Sequence, residues 1–120
     1  MPYRPTIRLF AGLTLMLLPH LASAHAILED STPPAGATLS PGPLDLRFRY
    51  NSRIDQARSR LTLTRPDHSR TTLRVDTDGS PDIIRCHLNV TPGAYVVRWQ
   101  VLAVDGHITR GDVAFTVIER

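Results

Sequence analysis

The chain has 120 residues and a formal net charge of +3, and 42% of its residues are hydrophobic. This length allows one domain, and the single cysteine excludes an internal disulfide. No apolar run reaches the roughly 20 residues that a membrane span requires, and a net charge this small gives no reason to expect a nucleic-acid partner.

Residues 1–24 have the layout of a secretory signal peptide. Two arginines provide a positive start, residues 9–18 form an apolar run, and Ala22-Ser23-Ala24 places small residues where a signal peptidase cuts. We predict that this segment is removed and that the mature domain, residues 25–120, is exported to the periplasm. The alternative is an uncleaved anchor, but the apolar run is about half as long as a membrane span. Cleavage removes two arginines and no acids, which lowers the net charge to +1.

Cleavage after Ala24 makes His25 the first residue of the mature chain. Its free α-amine, with an ordinary pKa of about 7.7–8.0, and the Nδ1 atom of its imidazole can bind one metal ion together in a chelate ring. A histidine inside a chain cannot do this, because its backbone nitrogen is an amide. The two tethered donors lose little conformational entropy on binding. A histidine at this position is more often incidental than functional, so a metal site requires further donors.

Alternating apolar and polar residues dominate the mature chain, which is the pattern of half-buried β-strands. Turns rich in Gly, Pro and Asp separate the alternating runs. The pattern predicts an all-β sandwich of about seven short strands, with room for a single helical turn within residues 51–59. The clearest runs are residues 44–50, 61–64, 71–75, 84–90, 95–101 and 113–117. The expected core anchors are Phe48, Tyr95, Trp99 and Phe115.

Three potential metal ligands in the middle of the chain are assigned other roles. His68 lies in a polar turn and is predicted to be solvated. Cys86 shares its strand face with apolar residues and is predicted to be a small core residue, whereas His87 points to the opposite face. Both methionines lie in the predicted signal peptide. Neither a thioether Cu(I) site nor a complete blue-copper site is therefore available to the mature chain.

The tripeptide Asp105-Gly106-His107 offers donors that complete a site with His25. In an extended chain, Asp105 and His107 point to the same side, and Gly106 between them permits a sharp bend. Alone the tripeptide would indicate only a turn. With His25 the set is one amine, two imidazoles and one carboxylate, which suits Cu(II) in a near-planar arrangement. We predict one Cu(II) per mature chain, and zinc in tetrahedral geometry stays the alternative.

Two segments, in the right order, resemble the CopC family of periplasmic copper-resistance proteins. The first starts at His25-Ala26-Ile27-Leu28 and continues through residues 31–37. The second comprises residues 92–99, then Val104-Asp105-Gly106-His107, and then Gly111 with the strand at residues 113–117. The resemblance spans nearly all of the mature chain, and it is weakest between about residues 51 and 89.

The resemblance implies a Greek-key β-sandwich of the cupredoxin or immunoglobulin-like kind, with a Cu(II) site on His25, Asp105 and His107. Some family members add a methionine-rich Cu(I) site, which this sequence lacks, so it resembles the Cu(II)-only type. The resemblance also implies a role in holding periplasmic copper or delivering it, beside a CopD-type inner-membrane copper transporter. We expect a monomer that is not an enzyme, does not bind nucleic acid and does not insert into the membrane after processing.

Two other functions are compatible with parts of the pattern. Copper held by an N-terminal histidine resembles the His-brace of copper monooxygenases. Those enzymes use a second histidine where Asp105 would sit, and a carboxylate ligand stabilises Cu(II) over Cu(I), which opposes oxygen activation. The remaining alternative is a structural sandwich module in which His25 is incidental. Oxygen uptake with ascorbate tests the first alternative, and metal analysis of protein from its native compartment tests the second.

Overall fold

The computed structural model describes residues 2–3, 25–77 and 79–119. Most of the predicted signal peptide, including its cleavage site, lies outside the described residues, so the division into residues 1–24 and 25–120 stays a prediction. Within the described residues, no helix is both long enough and apolar enough to cross a membrane.

Eight β-strands and one short 3-10 helix make up the described domain. The helix, Gln56–Arg58, follows Asp55, whose Oδ1 atom accepts a hydrogen bond from the backbone N–H of Arg58 at 3.2 Å. This confirms the single helical turn expected within residues 51–59. The strands are β1 (Leu28–Thr32), β2 (Ala37–Leu39), β3 (Gly42–Tyr50), β4 (Arg60–Thr64), β5 (Arg70–Leu73), β6 (Ile83–Val90), β7 (Gly93–Leu102) and β8 (Ile108–Val117).

The strands form two sheets that pack face to face. One sheet has three strands in the order β1-β3-β6, and the other has five in the order β2-β8-β7-β4-β5. Neighbouring strands are antiparallel, except that β2 runs parallel to β8. The longest pairing joins β7 to β8, from Gly93 opposite Val117 to Leu102 opposite Ile108. The all-β sandwich expected from the sequence is confirmed.

The core lies between the sheets and is filled by alternate residues of each strand. Two aromatic pairs lie in it. Tyr50 of β3 meets Trp99 of β7 edge-on across the two sheets, with ring centroids 5.4 Å apart, and Tyr95 of β7 stacks on Phe115 of the neighbouring β8 at 5.2 Å. The four predicted anchors, Phe48, Tyr95, Trp99 and Phe115, are all buried. Cys86 is also buried, as its place on the apolar face of β6 predicts.

The strand count and some strand limits differ from expectation. The structure has eight strands where about seven were expected: six correspond to the predicted alternating runs, and β1 and β2 were not predicted. β1 has no buried residue and β2 is only three residues long, so neither carries a clear alternating signal. β8 begins at Ile108 rather than near Val113, because its first half has no buried apolar side chain.

Candidate metal centre

The chain just after His25 is held against the end of the β7–β8 hairpin. Ala26 is buried, and its carbonyl oxygen accepts a 2.8 Å hydrogen bond from Oγ1 of Thr109 in β8. The backbone N–H of Ile27 donates to Oδ1 of Asn51 at 2.8 Å, and the N–H of Asn51 donates back to the Ile27 carbonyl at 3.0 Å. These three bonds fix the backbone next to His25, so the position of that residue depends on contacts distant in sequence.

The loop between β7 and β8 is a tight turn. The backbone N–H of Gly106 donates to the carbonyl of Ala103 at 2.9 Å, and the N–H of Ala103 donates to the carbonyl of His107 at 2.8 Å. Gly106 has a φ of 90°, a left-handed conformation in which an L side chain is strained. The glycine thus permits the turn that carries Asp105 and His107 on one short loop.

Asp105 and His107 form a local pair inside this loop. Oδ1 of Asp105 accepts the backbone N–H of His107 at 3.1 Å, and Oδ2 lies 2.7 Å from Nδ1 of the imidazole. The backbone hydrogen bond is the main cause that lowers the pKa of Asp105, and the side chains of His107 and His25 add to it. An ionised carboxylate can only accept, so Nδ1 of His107 carries the hydrogen and Nε2 is left as the metal-binding nitrogen.

The imidazole rings of His25 and His107 lie together at this end of the sandwich. Their centroids are 4.6 Å apart and their planes meet at 70°, and both residues are exposed. His25 also contributes to the lowered pKa of Asp105, so the carboxylate lies close to both histidines. All three residues predicted as ligands are therefore brought to one place.

The side chains alone do not form a complete coordination sphere. In residues 25–77 and 79–119, no group of three or more His, Cys, Asp or Glu side chains is arranged to hold a metal ion. The arrangement offers two imidazoles and one carboxylate near each other, but the carboxylate is engaged with His107. A metal ion here would need a further donor. In a chain that starts at His25, the α-amine of that residue would supply one.

The other potential ligands lie away from this loop. His68 is exposed in its turn with a φ of 68°, as expected of a solvated residue. His87 is exposed on β6, where its Nδ1 contacts Oδ1 of Asp45 and its Nε2 lies 3.1 Å from Oδ2 of Asp76. Neither aspartate was predicted from the sequence to contact His87. Asp45 could have been paired with His87 from strand register, but Asp76 comes from an irregular segment without a readable pattern.

The model of the CopC domain matches residues 28–118 of the chain. The chain belongs to the CopC family. The matched range includes Asp105 and His107, and it begins just after His25. Membership in this family gives the chain a copper-related function.

Curated relatives and a solved structure agree with this membership. The chain is 31% identical to Protein YobA of Escherichia coli strain K12 over 111 residues, covering 89% of this chain and 90% of the relative. It is 30% identical to Copper resistance protein C of Pseudomonas syringae pv. tomato, covering 85% and 87%. The crystal structure of CopC from Methylosinus trichosporium OB3b superposes with a TM-score of 0.71 at 25% identity, covering 80% of this chain and 96% of that one. The Greek-key sandwich is thus the fold of the CopC family.

Proposed function

We propose that this CopC-family chain is a periplasmic Cu(II)-binding protein that holds one copper ion at the end of the β7–β8 hairpin. The donors are the α-amine and imidazole of His25, the imidazole of His107 and the carboxylate of Asp105. Copper is the cargo: the protein sequesters it or passes it to a membrane transporter of the CopD type. The monomeric chain is proposed to act without catalytic turnover.

The observation that carries the proposal is the 4.6 Å approach of the His25 and His107 rings. These residues are far apart in sequence, and the hydrogen bond from Thr109 to the Ala26 carbonyl holds their segments together. Processing at Ala24 would convert the backbone nitrogen of His25 from an amide into an amine. The amine would then stand beside a second imidazole that is already oriented.

Asp105 has two roles in the proposed copper site. Its hydrogen bond to Nδ1 sets the tautomer of His107 and leaves Nε2 available, as carboxylate partners of metal-binding histidines commonly do. Each carboxylate oxygen has a second lone pair, so the same side chain can also serve as an oxygen donor. Its negative charge offsets part of the charge of a divalent ion and favours Cu(II) over Cu(I).

The donor chemistry favours copper over zinc. Nitrogen donors with one carboxylate suit the tetragonal geometry of Cu(II), and Cu(II) binds such sites more tightly than Zn(II) does. The amine and the imidazole of His25 belong to one chelate ring, so they occupy two adjacent positions in the coordination plane, as the tetragonal geometry of Cu(II) requires. We expect excess Zn(II) to leave most of the bound Cu(II) in place.

Copper titrations of the processed protein test the donor set. Trp99 is the only tryptophan and is buried in the core, so quenching of its fluorescence by Cu(II) provides a convenient readout. We expect one equivalent to bind. Asp105→Ala should weaken binding by about 10- to 100-fold, and His107→Ala should weaken it further because a donor is lost.

His68→Ala is the matched control, because His68 is an exposed histidine in a turn that takes no part in the site. This variant should bind copper as the unaltered protein does. Circular dichroism should confirm that all variants are folded. Equal affinities for the His107→Ala and His68→Ala variants would rule out the proposed centre.

A further inference from the structure

The outer face of the five-stranded sheet is rich in arginine. Side chains that alternate with the buried ones on β4, β7 and β8 point away from the core, and so does Arg70 of β5, which stands opposite Thr64 of β4. The four arginines among these side chains are exposed. We call this surface the arginine face, and it is defined by Arg60, Arg70, Arg98 and Arg110. On these four strands the single acidic residue is Asp112, so the strands carry a clear excess of positive charge.

The opposite face of the sandwich neutralises its own charge. On the three-stranded sheet, Arg49 contacts Glu29 at 2.7 Å and Arg47 lies 3.8 Å from Asp30. His87 is likewise held between two aspartates. By contrast, none of the four arginines of the arginine face makes an ion pair with a residue that the structure describes. The two faces of the domain thus differ in how much of their positive charge is paired, although Arg85, exposed on β6, also makes no ion pair with a described residue.

The arginines are spread over the width of the sheet. They lie on four adjacent strands, whose spacing of about 4.8 Å gives a width of about 14 Å. Arg98 stands opposite Thr62 on β4 and opposite Asp112 on β8, while Arg60 stands opposite Gln100 on β7. Their separations are comparable to the screening length of about 10 Å in moderate salt, so an anionic surface would interact with several of these arginines at once.

The face lacks the features of a protein-docking site. Tight protein interfaces usually centre on aromatic or other large anchors that fill pockets. The aromatic residues of β7 and β8 are buried in the core. Between the arginines lies only an open depression, which is lined by Thr62, Thr64, Arg70, Val96, Arg98 and Asp112. A charged surface without an aromatic anchor fits a partner that carries negative charge and does not require a matching shape.

We propose that the arginine face binds the surface of a lipid bilayer that contains anionic headgroups. The sandwich then lies with its five-stranded sheet on the membrane and its self-neutralised sheet away from it. Because β8 follows directly from His107, this orientation keeps the candidate metal centre at the edge of the bound face. The inference goes beyond the proposed copper binding and does not require it.

Vesicle co-sedimentation tests this surface. The processed protein should bind phosphatidylcholine vesicles that contain phosphatidylglycerol, fail to bind vesicles of phosphatidylcholine alone, and dissociate in high salt. The double variant Arg60→Gln/Arg98→Gln should bind about 25-fold more weakly, since each basic residue near an anionic surface contributes about fivefold. Thermal unfolding should show that the variant is folded.

The double variant Arg47→Gln/Arg49→Gln is the matched control, because it removes the same charge from the opposite face. It should bind the anionic vesicles within about twofold of the unaltered protein, since arginines already paired on the far face contribute little. Equal weakening by the two double variants would overturn the proposal, because net charge alone would then explain binding. Binding to polyglutamate but not to anionic vesicles would also overturn it and would indicate an acidic protein partner.

Discussion

At the scale of single residues, Gly111 is a position where the core leaves no room for a side chain. A Cβ atom on this residue would lie 2.4 Å from Cζ2 of Trp99, closer than any non-bonded contact allows. Trp99 also packs edge-on against Tyr50, so the indole has little freedom to move away. We predict that Gly111→Ala lowers the free energy of unfolding by about 1–3 kcal/mol, the usual cost of overpacking.

Urea unfolding of Gly111→Ala and Gly79→Ala measures this effect. Gly79 is the control, because a Cβ atom there meets nothing within 4 Å and the residue has no positive φ. Gly79→Ala should change the free energy of unfolding by no more than about 0.5 kcal/mol. Equal stability of the two variants would show that Trp99 does not occupy the position described.

The titration of His87 makes the stability of the folded protein depend on pH. Its hydrogen bond to Asp45, followed by the charges of Asp45 and Asp76, raises the pKa of the imidazole above its ordinary value of about 6.5. A raised pKa in the folded state means that protonation favours folding. The stabilisation is therefore complete below about pH 6.5 and is lost as the pH rises through the raised pKa.

The comparison of the unaltered protein with His87→Gln tests this pH dependence. The unaltered protein should be the more stable of the two at low pH, and the difference should shrink as the pH rises. An NMR titration should show the imidazole of His87 titrating above 6.5 and Asp45→Asn moving its pKa downward. A stability difference that stays constant or grows with pH would contradict the assignment.

At the scale of elements, the segment after His25 is held in place by few contacts. The hydrogen bond from Oγ1 of Thr109 to the Ala26 carbonyl is one of them. Thr109→Val removes the hydroxyl but keeps the branched shape. We predict that this change weakens Cu(II) binding about fivefold, because a hydrogen bond of about 1 kcal/mol no longer orders the terminus.

Thr116→Val is the control for this prediction. Thr116 lies on the same strand but is exposed, and it makes no side-chain hydrogen bond with a described residue. Competition titrations with a copper chelator should give an unchanged affinity for Thr116→Val. If Thr109→Val also binds copper unchanged, the hydrogen bond does not position the centre.

Six of the eight strands could be predicted because their alternation reflects burial on one face. β3 and β7 show it most clearly, with Leu46, Phe48 and Tyr50 buried on β3. β1 and β2 could not be predicted in this way, since edge position and short length leave their side chains partly exposed. The first half of β8 was missed because its strand state depends on pairing with β7 rather than on its own apolar residues.

At the scale of the whole molecule, the candidate centre brings together residues that are distant in sequence. His25, Asp105 and His107 could be predicted from the sequence as metal ligands. An N-terminal histidine can chelate a metal ion, and an Asp-Gly-His turn supplies a carboxylate and a second imidazole. Their proximity could not be predicted, since it depends on Asn51 and Thr109. Asn51 and Thr109 are ordinary polar residues, and only folding brings them into contact with the segment after His25.

Processing is proposed to create a metal donor from the backbone nitrogen of His25. The most direct test compares the chain that starts at His25 with one that retains Ala24, by EPR spectroscopy with one equivalent of Cu(II) and by copper affinity. The retained alanine should change the nitrogen coordination seen by EPR and weaken binding by orders of magnitude, because the nitrogen of His25 stays an amide. Identical spectra and affinities for the two chains would contradict the account.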